Sequence, residues 1–247
     1  MLEIDRWVMA RYASVASRMV HAYDEYDYSA IYQAANSFVT VDLSAFYVDV
    51  TKDRMYTFGA TSAARRSGQT AMFHIADGLA RLLAPVLVFT MDEVWRNLPG
   101  EREASVHLTL FPSGLSKWQD EGLLQRWAQL SSVRDQVNLA LEEQRQQKVI
   151  TSSLSARVVI GASGPLAELL GQYRQELPSI LGVSQVDLEE GSPGGAAVTV
   201  SVHRAHGTKC ERCWRYVPSV SDVPEYRGLC ERCVDALSQP PELGRAS

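Results

Sequence analysis

The sequence has no uninterrupted apolar run of the roughly 20 residues that a membrane-spanning helix needs. Its opening residues, MLEIDRW, also lack the basic head and apolar core of a secretory signal. From these two absences we expect a cytoplasmic protein with no membrane partner. At 247 residues, 46% of them hydrophobic, the chain is long enough for one large domain or two modest ones.

The chain also lacks an excess of positive charge. It has 24 Lys and Arg residues against 29 Asp and Glu, which gives a formal net charge of −5. Because indiscriminate nucleic-acid binding depends on a broad positive surface, this balance argues against that mode of binding. Any contact with RNA must come from local basic patches.

Signatures of nucleotide chemistry are missing as well. The sequence contains no phosphate-binding loop and no glycine-rich dinucleotide motif. His21, His74 and His107 stand without a neighbouring nucleophile or carboxylate motif. We therefore expect this chain to bind rather than to catalyse.

No cysteine precedes Cys210, so a disulfide framework spread through a small secreted domain is not expected. The four cysteines form two matched pairs, Cys210 with Cys213 and Cys230 with Cys233. Two intervening residues in each pair let four sulfurs converge on one tetrahedral zinc ion. A redox pair or simple buried thiols are the alternatives. Since four protein ligands leave no open coordination position, the predicted ion is structural.

The first half of the chain predicts an antiparallel bundle of helices. Apolar residues recur at helical spacing from Ile4, and again after Asp27, which suits an N-cap. Further helices are predicted over residues 70–84 and from Thr90, where Thr-Met-Asp-Glu has the capping-box pattern. Residues 100–118 predict a loop with an extended piece at 106–110, and a fifth helix follows over residues 123–141.

From Ser153 onward the periodicity changes from helical to alternating. Strands are predicted over residues 154–160, 183–188 and 198–203, with a short helix over 166–177 and a turn at Gly191–Gly195. The overall prediction is a mainly α fold, in which an antiparallel helical bundle is followed by a small α+β unit and a C-terminal zinc knuckle.

Two groups of cations and aromatics are candidates for RNA contacts, because cations bind phosphates and aromatic rings stack on unpaired bases. The first, at the zinc knuckle, contains Lys209, Arg212, Trp214, Arg215 and Arg232. Packing of Trp214 beneath the knuckle is an equally open alternative. The second group comprises Tyr47, Lys52, Arg54, Arg65 and Arg66. Composition alone favours a solvated helix end there, with its cations near the negative end of the helix dipole.

Eight short motifs follow one another along the chain. They are, in order, LEIDRW at 2–7, VDLSAFY at 41–47, KDRMY at 52–56, RRS at 65–67, LLAPV at 82–86, DEVW at 92–95, SVHL at 105–108 and KCERCW at 209–214. Their order resembles the anticodon-binding domain and C-terminal zinc finger of bacterial isoleucyl-tRNA synthetases, which are class I enzymes. The resemblance covers nearly the whole chain and favours the RNA-binding interpretation of the second group.

The resemblance implies a bundle that grips the anticodon stem-loop of isoleucine tRNA and a zinc finger that supports anticodon recognition. It divides the chain into an anticodon-binding bundle over 1–118, a helix and small α+β junction unit over 119–203, a four-cysteine zinc finger over 204–237 and a disordered tail over 238–247. The full-length enzyme joins isoleucine to its tRNA with ATP. ATP and a catalytic half are therefore implied only for the full-length or a split enzyme.

The sequence departs from the family at three points. The His-Ile-Gly-His-like and Lys-Met-Ser-Lys-Ser-like signatures are missing, as is the editing domain, so no catalytic residue is expected. The family's first bundle helix would precede Met1, which predicts an exposed apolar groove beside Ile4 and Trp7. A freestanding, non-catalytic zinc-containing RNA-binding module remains the alternative to a synthetase part. A DNA-repair glycosylase with a similar finger is disfavoured, because Leu2 and Glu3 stand where it would carry proline and glutamate.

Overall fold

Residues 1–191 and 198–239 are described by the computed structural model, and they form two compact units. Unit 1 contains Met1–Asp49 and Ala63–Leu124, and unit 2 contains Val50–Ser62 and Gln125–Ser247. The predicted bundle over residues 1–118 differs from unit 1 at the segment Val50–Ser62, which belongs with the C-terminal unit. In the described part of the chain, no helix is both long and apolar enough to cross a membrane.

Unit 1 is helical. Its helices are α1 (Glu3–Asp24), α2 (Tyr28–Ser37), α4 (Ala63–Leu83) and α5 (Val88–Asn97), and a π-helical segment, Phe38–Val48, follows α2 directly. Helix α1 packs against α2, the π-helical segment and α4. Asp27 caps α2 as predicted, because its carboxylate accepts a 2.9 Å hydrogen bond from the backbone N–H of Ala30.

The predicted apolar groove beside Ile4 and Trp7 is wrong. The Trp7 ring is only 5% exposed. It meets the Phe46 ring edge to face, with ring centroids 4.8 Å apart. The π-helical segment after α2 therefore covers the side of α1 that the sequence left open.

Three local predictions in unit 1 are corrected by the structure. Helix α4 begins at Ala63 rather than residue 70, and Gly68 is buried within it rather than ending it. Helix α5 begins at Val88 rather than after a Thr90 cap, and it has no side-chain cap because its N-cap residue, Leu87, has no side-chain acceptor. The Asp92 carboxylate accepts a hydrogen bond from Ser105 Oγ at 2.6 Å. That contact leads into a 3-10 turn, Val106–Leu108, where an extended piece was predicted.

Unit 2 contains helix α3 (Asp49–Thr57) except for its first residue, most of α6 (Glu121–Gln146) and a three-stranded sheet. Strand β1 (Ala156–Ala162) lies between β2 (Gln185–Glu190), which is parallel to it, and β3 (Val198–Arg204), which is antiparallel. Helices α7 (Gly164–Gln172) and α8 (Leu177–Ile180) form the crossover that a parallel pair requires. Ile160 pairs with Leu188 on one side and Val200 on the other.

A two-stranded ribbon and a final helix complete the chain. The ribbon joins β4 (Thr208–Lys209) to β5 (Tyr216–Val217), and the helix is α9 (Glu231–Ser238). The mainly α fold class is confirmed, with a small α+β unit and a C-terminal cysteine cluster. Most of the turn predicted at Gly191–Gly195 lies outside the described residues, as do residues 240–247 of the tail predicted over 238–247. Ser238, the first residue of that predicted tail, is the last residue of α9.

Candidate zinc centre and nucleic-acid interface

The four cysteines come together as predicted. Their Sγ atoms all lie within 4.8 Å of one another, each side chain is buried, and none forms a disulfide. A regular tetrahedron with Zn–S bonds of ~2.3 Å has S–S edges of about 3.8 Å. The Sγ atoms of Cys213 and Cys230 are 3.8 Å apart. The cluster therefore fits one zinc ion with four thiolate ligands.

Short-range backbone geometry builds each half of the cluster. After β4 the chain turns back so that Trp214 N–H donates to Cys210 O and Cys210 N–H donates to Arg215 O, both at 2.9 Å. Trp214 adopts a φ of 63°, the left-handed conformation that this reversal requires. The second pair lies at the start of α9, where Cys230 is the N-cap residue and Cys233 lies in the first turn.

The pKa values of the Cys210 and Cys230 thiols are shifted in opposite directions. Burial raises the pKa of Cys210, but backbone N–H groups, including one donated by Cys230 at 3.3 Å, outweigh it and lower that pKa to about 6. Burial, with the neighbouring sulfurs of Cys233 and Cys213, raises the pKa of Cys230 to about 12. Four thiolates in so small a volume repel one another, so their joint ionisation needs a bound cation.

Helix α3 is joined to the zinc finger through the carboxylate of Asp53. Arg232 donates to both oxygens of this carboxylate, at 2.7 and 3.0 Å, and Arg215 Nε donates at 3.1 Å. Burial opposes ionisation of Asp53, but hydrogen bonds and charges from Arg232 and Arg215 hold its pKa below the ordinary value. Arg212 donates to the backbone carbonyl of Thr57, one helical turn further along α3.

Several predicted RNA-binding residues are engaged inside the protein. Besides Asp53, the Arg215 guanidinium contacts Val183 O at 2.8 Å. Tyr47 is fully buried, and its hydroxyl donates to Asp5 at 2.6 Å. Arg54 is also buried. The Tyr47 hydroxyl and the Arg215 guanidinium are thus bound by groups of the protein, and burial keeps Arg54 from solvent.

Other predicted residues lie on the surface. Trp214 is 60% exposed, so it does not pack beneath the zinc knuckle, and Lys209 Nζ lies 5.7 Å from the centroid of its ring. Lys52 and Arg66 are exposed, and Arg65 is half-buried. Each unit therefore exposes side chains of the types that can bind a phosphate or stack on a base.

Sequence reasoning missed the function of Asp53. An acidic residue flanked by Lys52 and Arg54 locally predicts a charged helix exposed to solvent. Its partner Arg232 is 179 residues away, and no local pattern links them. The nearest signal was the group of arginines beside the cysteine ligands, since a guanidinium pairs with a carboxylate in a two-pronged contact.

A cavity of about 730 Å³ lies between α8 and the zinc finger, within unit 2. Its wall combines the hydroxyls of Ser179, Ser219 and Ser221 with the apolar side chains of Val217 and Leu229. Arginine and carboxylate side chains lie at its border. Apolar surface with a few hydrogen-bonding groups is the composition of a ligand site.

Comparison with known proteins gives two matching family models. Residues 5–160 match the model described as the anticodon-binding domain of tRNA ligase. Residues 207–236 match the model described as a zinc finger found in FPG and IleRS. The second match spans all four cysteines, in agreement with the geometry of one structural zinc ion.

Similar curated proteins are bacterial isoleucine–tRNA ligases. Those of Syntrophotalea carbinolica and Geobacter sulfurreducens are 45% and 41% identical, each over 96% of this chain and 26% of its own length. That of Dichelobacter nodosus is 42% identical over 99% of this chain and 26% of its own length. The chain thus spans about a quarter of the length of the curated relatives it matches, and it matches their C-terminal part.

Proposed function

The chain belongs to the anticodon-binding domain family of tRNA ligases, in the form found at the C-terminus of isoleucine–tRNA ligases, and on that premise we propose that it recognises the anticodon stem-loop of isoleucine tRNA. The observation that carries the proposal is an exposed tryptophan, Trp214, on a family-matched zinc finger, with the Lys209 ammonium beside its ring. An indole gives an unpaired base a stacking surface, and the adjacent cation attracts the phosphate of the same nucleotide.

Two exposed residues of helix α3 extend this surface within unit 2. Lys52 and Tyr56, which is 82% exposed, are four residues apart and so share one face of the helix. Asp53 and Thr57, also four residues apart, form the adjacent face that binds the zinc finger. One face of α3 is thus anchored to protein while the next offers a cation and an aromatic ring to RNA.

In this proposal, Lys52, Arg65 and Arg66 position the stem-loop through its phosphates, and Trp214 stacks on a splayed base. Three further arginines support this surface without contacting RNA, because their guanidiniums are bound or buried in the protein. They are Arg212, Arg215 and Arg54. The cavity beside the zinc finger supplies hydroxyls that suit the edge of an unpaired base. Such contacts read a loop without requiring a basic surface over the whole protein.

We propose that aminoacylation itself, with ATP and isoleucine, depends on a catalytic half outside this sequence, either on the same polypeptide or on a second one. Anchoring the anticodon here would leave the acceptor end of the tRNA free to reach that half. We also propose a cytoplasmic location, since four ligating thiols persist in a reducing compartment.

The proposal is tested with two RNA hairpins that differ only in the anticodon. The first carries the isoleucine anticodon in its natural stem-loop, and the second carries the same stem with the three anticodon nucleotides replaced. We expect zinc-loaded protein to bind the first hairpin more tightly at one stated salt concentration. Equal affinity for both hairpins would show that the chain binds RNA backbone without recognising the anticodon.

A further inference from the structure

We infer that Asp53 is a positioning residue through which the zinc finger sets the orientation of helix α3 for RNA binding. The inference rests on the proposed function and adds a physical link between the zinc site and the exposed residues of α3. Asp53 itself does not contact RNA, because its carboxylate is negative and enclosed by guanidiniums. It acts through the helix that carries Lys52 and Tyr56.

The arginines that hold α3 are neighbours of the zinc ligands. Arg212 precedes Cys213, Arg232 precedes Cys233, and Arg215 follows Cys213 by two residues. Their backbone positions are therefore fixed by the two knuckles. Because a four-thiolate site is held in its fold by its metal, loss of zinc would release all three arginines together.

The contacts at Asp53 are directional and largely sheltered from solvent. The Oδ2 atom accepts from Arg215 at 3.1 Å and from Arg232 at 2.7 Å, whereas Oδ1 accepts from Arg232 at 3.0 Å and from the Thr57 hydroxyl at 2.8 Å. The side chains of Asp53 and Arg215 are only 21% and 14% exposed. A two-pronged guanidinium contact fixes direction as well as distance, so it resists rotation of the helix about its axis.

Further contacts near the C-terminal end of α3 also resist rotation of the helix about its axis. Arg212 binds the Thr57 carbonyl, and the Arg232 guanidinium lies 4.7 Å from the centroid of the Phe58 ring. Lys52 and Tyr56 lie about 100° around the helix from Asp53 and Thr57. A rotation of α3 would therefore move both exposed side chains away from the positions that face RNA.

The test compares zinc-loaded Asp53→Asn with the exposed-residue control Asp222→Asn and the charge-conserving variant Asp53→Glu. Each Asn variant removes one negative charge, and that change alone would strengthen RNA binding. We expect Asp53→Asn to do the opposite and to weaken binding of isoleucine tRNA about tenfold, with one zinc ion retained. Asp222→Asn should bind as tightly as the unsubstituted chain or slightly more tightly, and Asp53→Glu should restore part of the affinity.

A second measurement does not depend on RNA. Amide hydrogen exchange of α3 should become faster in Asp53→Asn and in the chelated chain, and chelation of Asp53→Asn should add little. Unchanged exchange of α3, or unchanged tRNA affinity in zinc-loaded Asp53→Asn, would overturn the inference. If the unsubstituted chain does not bind the tRNA, the proposed function is wrong, and the exchange rates alone then decide whether zinc fixes α3 through Asp53. Arg232→Lys, which keeps the charge but loses the two-pronged contact, replaces Asp53→Asn if that variant does not fold.

Discussion

The hydroxyl of Tyr47 donates a 2.6 Å hydrogen bond to Oδ1 of Asp5, and both side chains are fully buried. The other oxygen of this carboxylate accepts from Ser67 Oγ, which also accepts from the backbone N–H of Leu2 at 2.7 Å. The start of α1, the end of the π-helical segment and the first part of α4 thus meet at one buried carboxylate. A tyrosine that sequence reasoning assigned to RNA instead fixes the packing of unit 1.

Tyr47→Phe should therefore act on stability and not on RNA. It removes one hydrogen-bond donor from a buried carboxylate, so we expect the free energy of unfolding to fall by about 1–3 kcal/mol. Chemical denaturation measures this change, and the exposed Tyr32→Phe serves as the matched control with little effect. A loss of tRNA affinity in folded Tyr47→Phe, with stability unchanged, would reverse this assignment.

Trp214→Ala should act on RNA and not on zinc. Removing an exposed stacking surface costs about 1–3 kcal/mol of binding free energy for each base it supports. We expect tRNA affinity to fall accordingly, with zinc content equal to that of the unsubstituted chain by metal analysis. Trp214→Phe keeps an aromatic surface and should retain part of the affinity. Loss of zinc from Trp214→Ala would instead assign the indole to the packing of the knuckle.

Removal of zinc should unfold the C-terminal finger before the helices of unit 1. Without the cation, the four clustered thiols no longer hold the two knuckles together. Limited proteolysis after chelation should cut within residues 207–236 first, while fragments of unit 1 persist. Readdition of zinc before the protease should restore protection. A finger that stays resistant to protease after chelation would contradict a folding role for the metal.

The contribution of Tyr23 to the stability of unit 1 depends on pH in the alkaline range. Burial, with a smaller effect from Tyr28, raises the pKa of Tyr23 to about 12, and its hydroxyl donates to Leu82 O at 2.7 Å. A pKa raised in the folded state contributes stability that is complete below the unfolded value of about 10 and is lost as pH rises toward 12.

The comparison of the unsubstituted chain with Tyr23→Phe isolates this group. Between pH 10 and 12, the difference in free energy of unfolding between the unsubstituted chain and Tyr23→Phe should shrink. The difference spectrum of the two folded proteins should show the Tyr23 phenolate only near pH 12. A difference spectrum that appears near pH 10 would show that the Tyr23 phenol is open to solvent.

The features predictable from sequence were those with a local cause. The two residues between the cysteines of each pair are enough to predict a zinc site, and Asp27 caps the helix that begins beside it. The partnership of Asp53 with Arg232 joins residues 179 positions apart, so it follows from tertiary packing alone. The capping box predicted from Thr90 was wrong, because the helix already begins at Val88, with Leu87 as an N-cap residue that has no side-chain acceptor.

Arginine was the least predictable residue type at the site. A guanidinium suits a phosphate and a carboxylate equally well, so composition does not distinguish RNA contact from internal bracing. Hydrogen bonds show internal bracing at two positions, since Arg212 donates to the Thr57 carbonyl and Arg215 donates to Asp53. Lys52 and Trp214 are exposed.

The central claim is tested most directly by titrating zinc-loaded protein with isoleucine tRNA and, separately, with valine tRNA at the same stated salt concentration. Because both tRNAs present similar backbone charge, a difference in affinity reports recognition beyond phosphate contacts. Tighter binding of the isoleucine tRNA is the predicted result. Equal affinity for the two tRNAs, or no measurable binding of either, would contradict anticodon recognition by this chain.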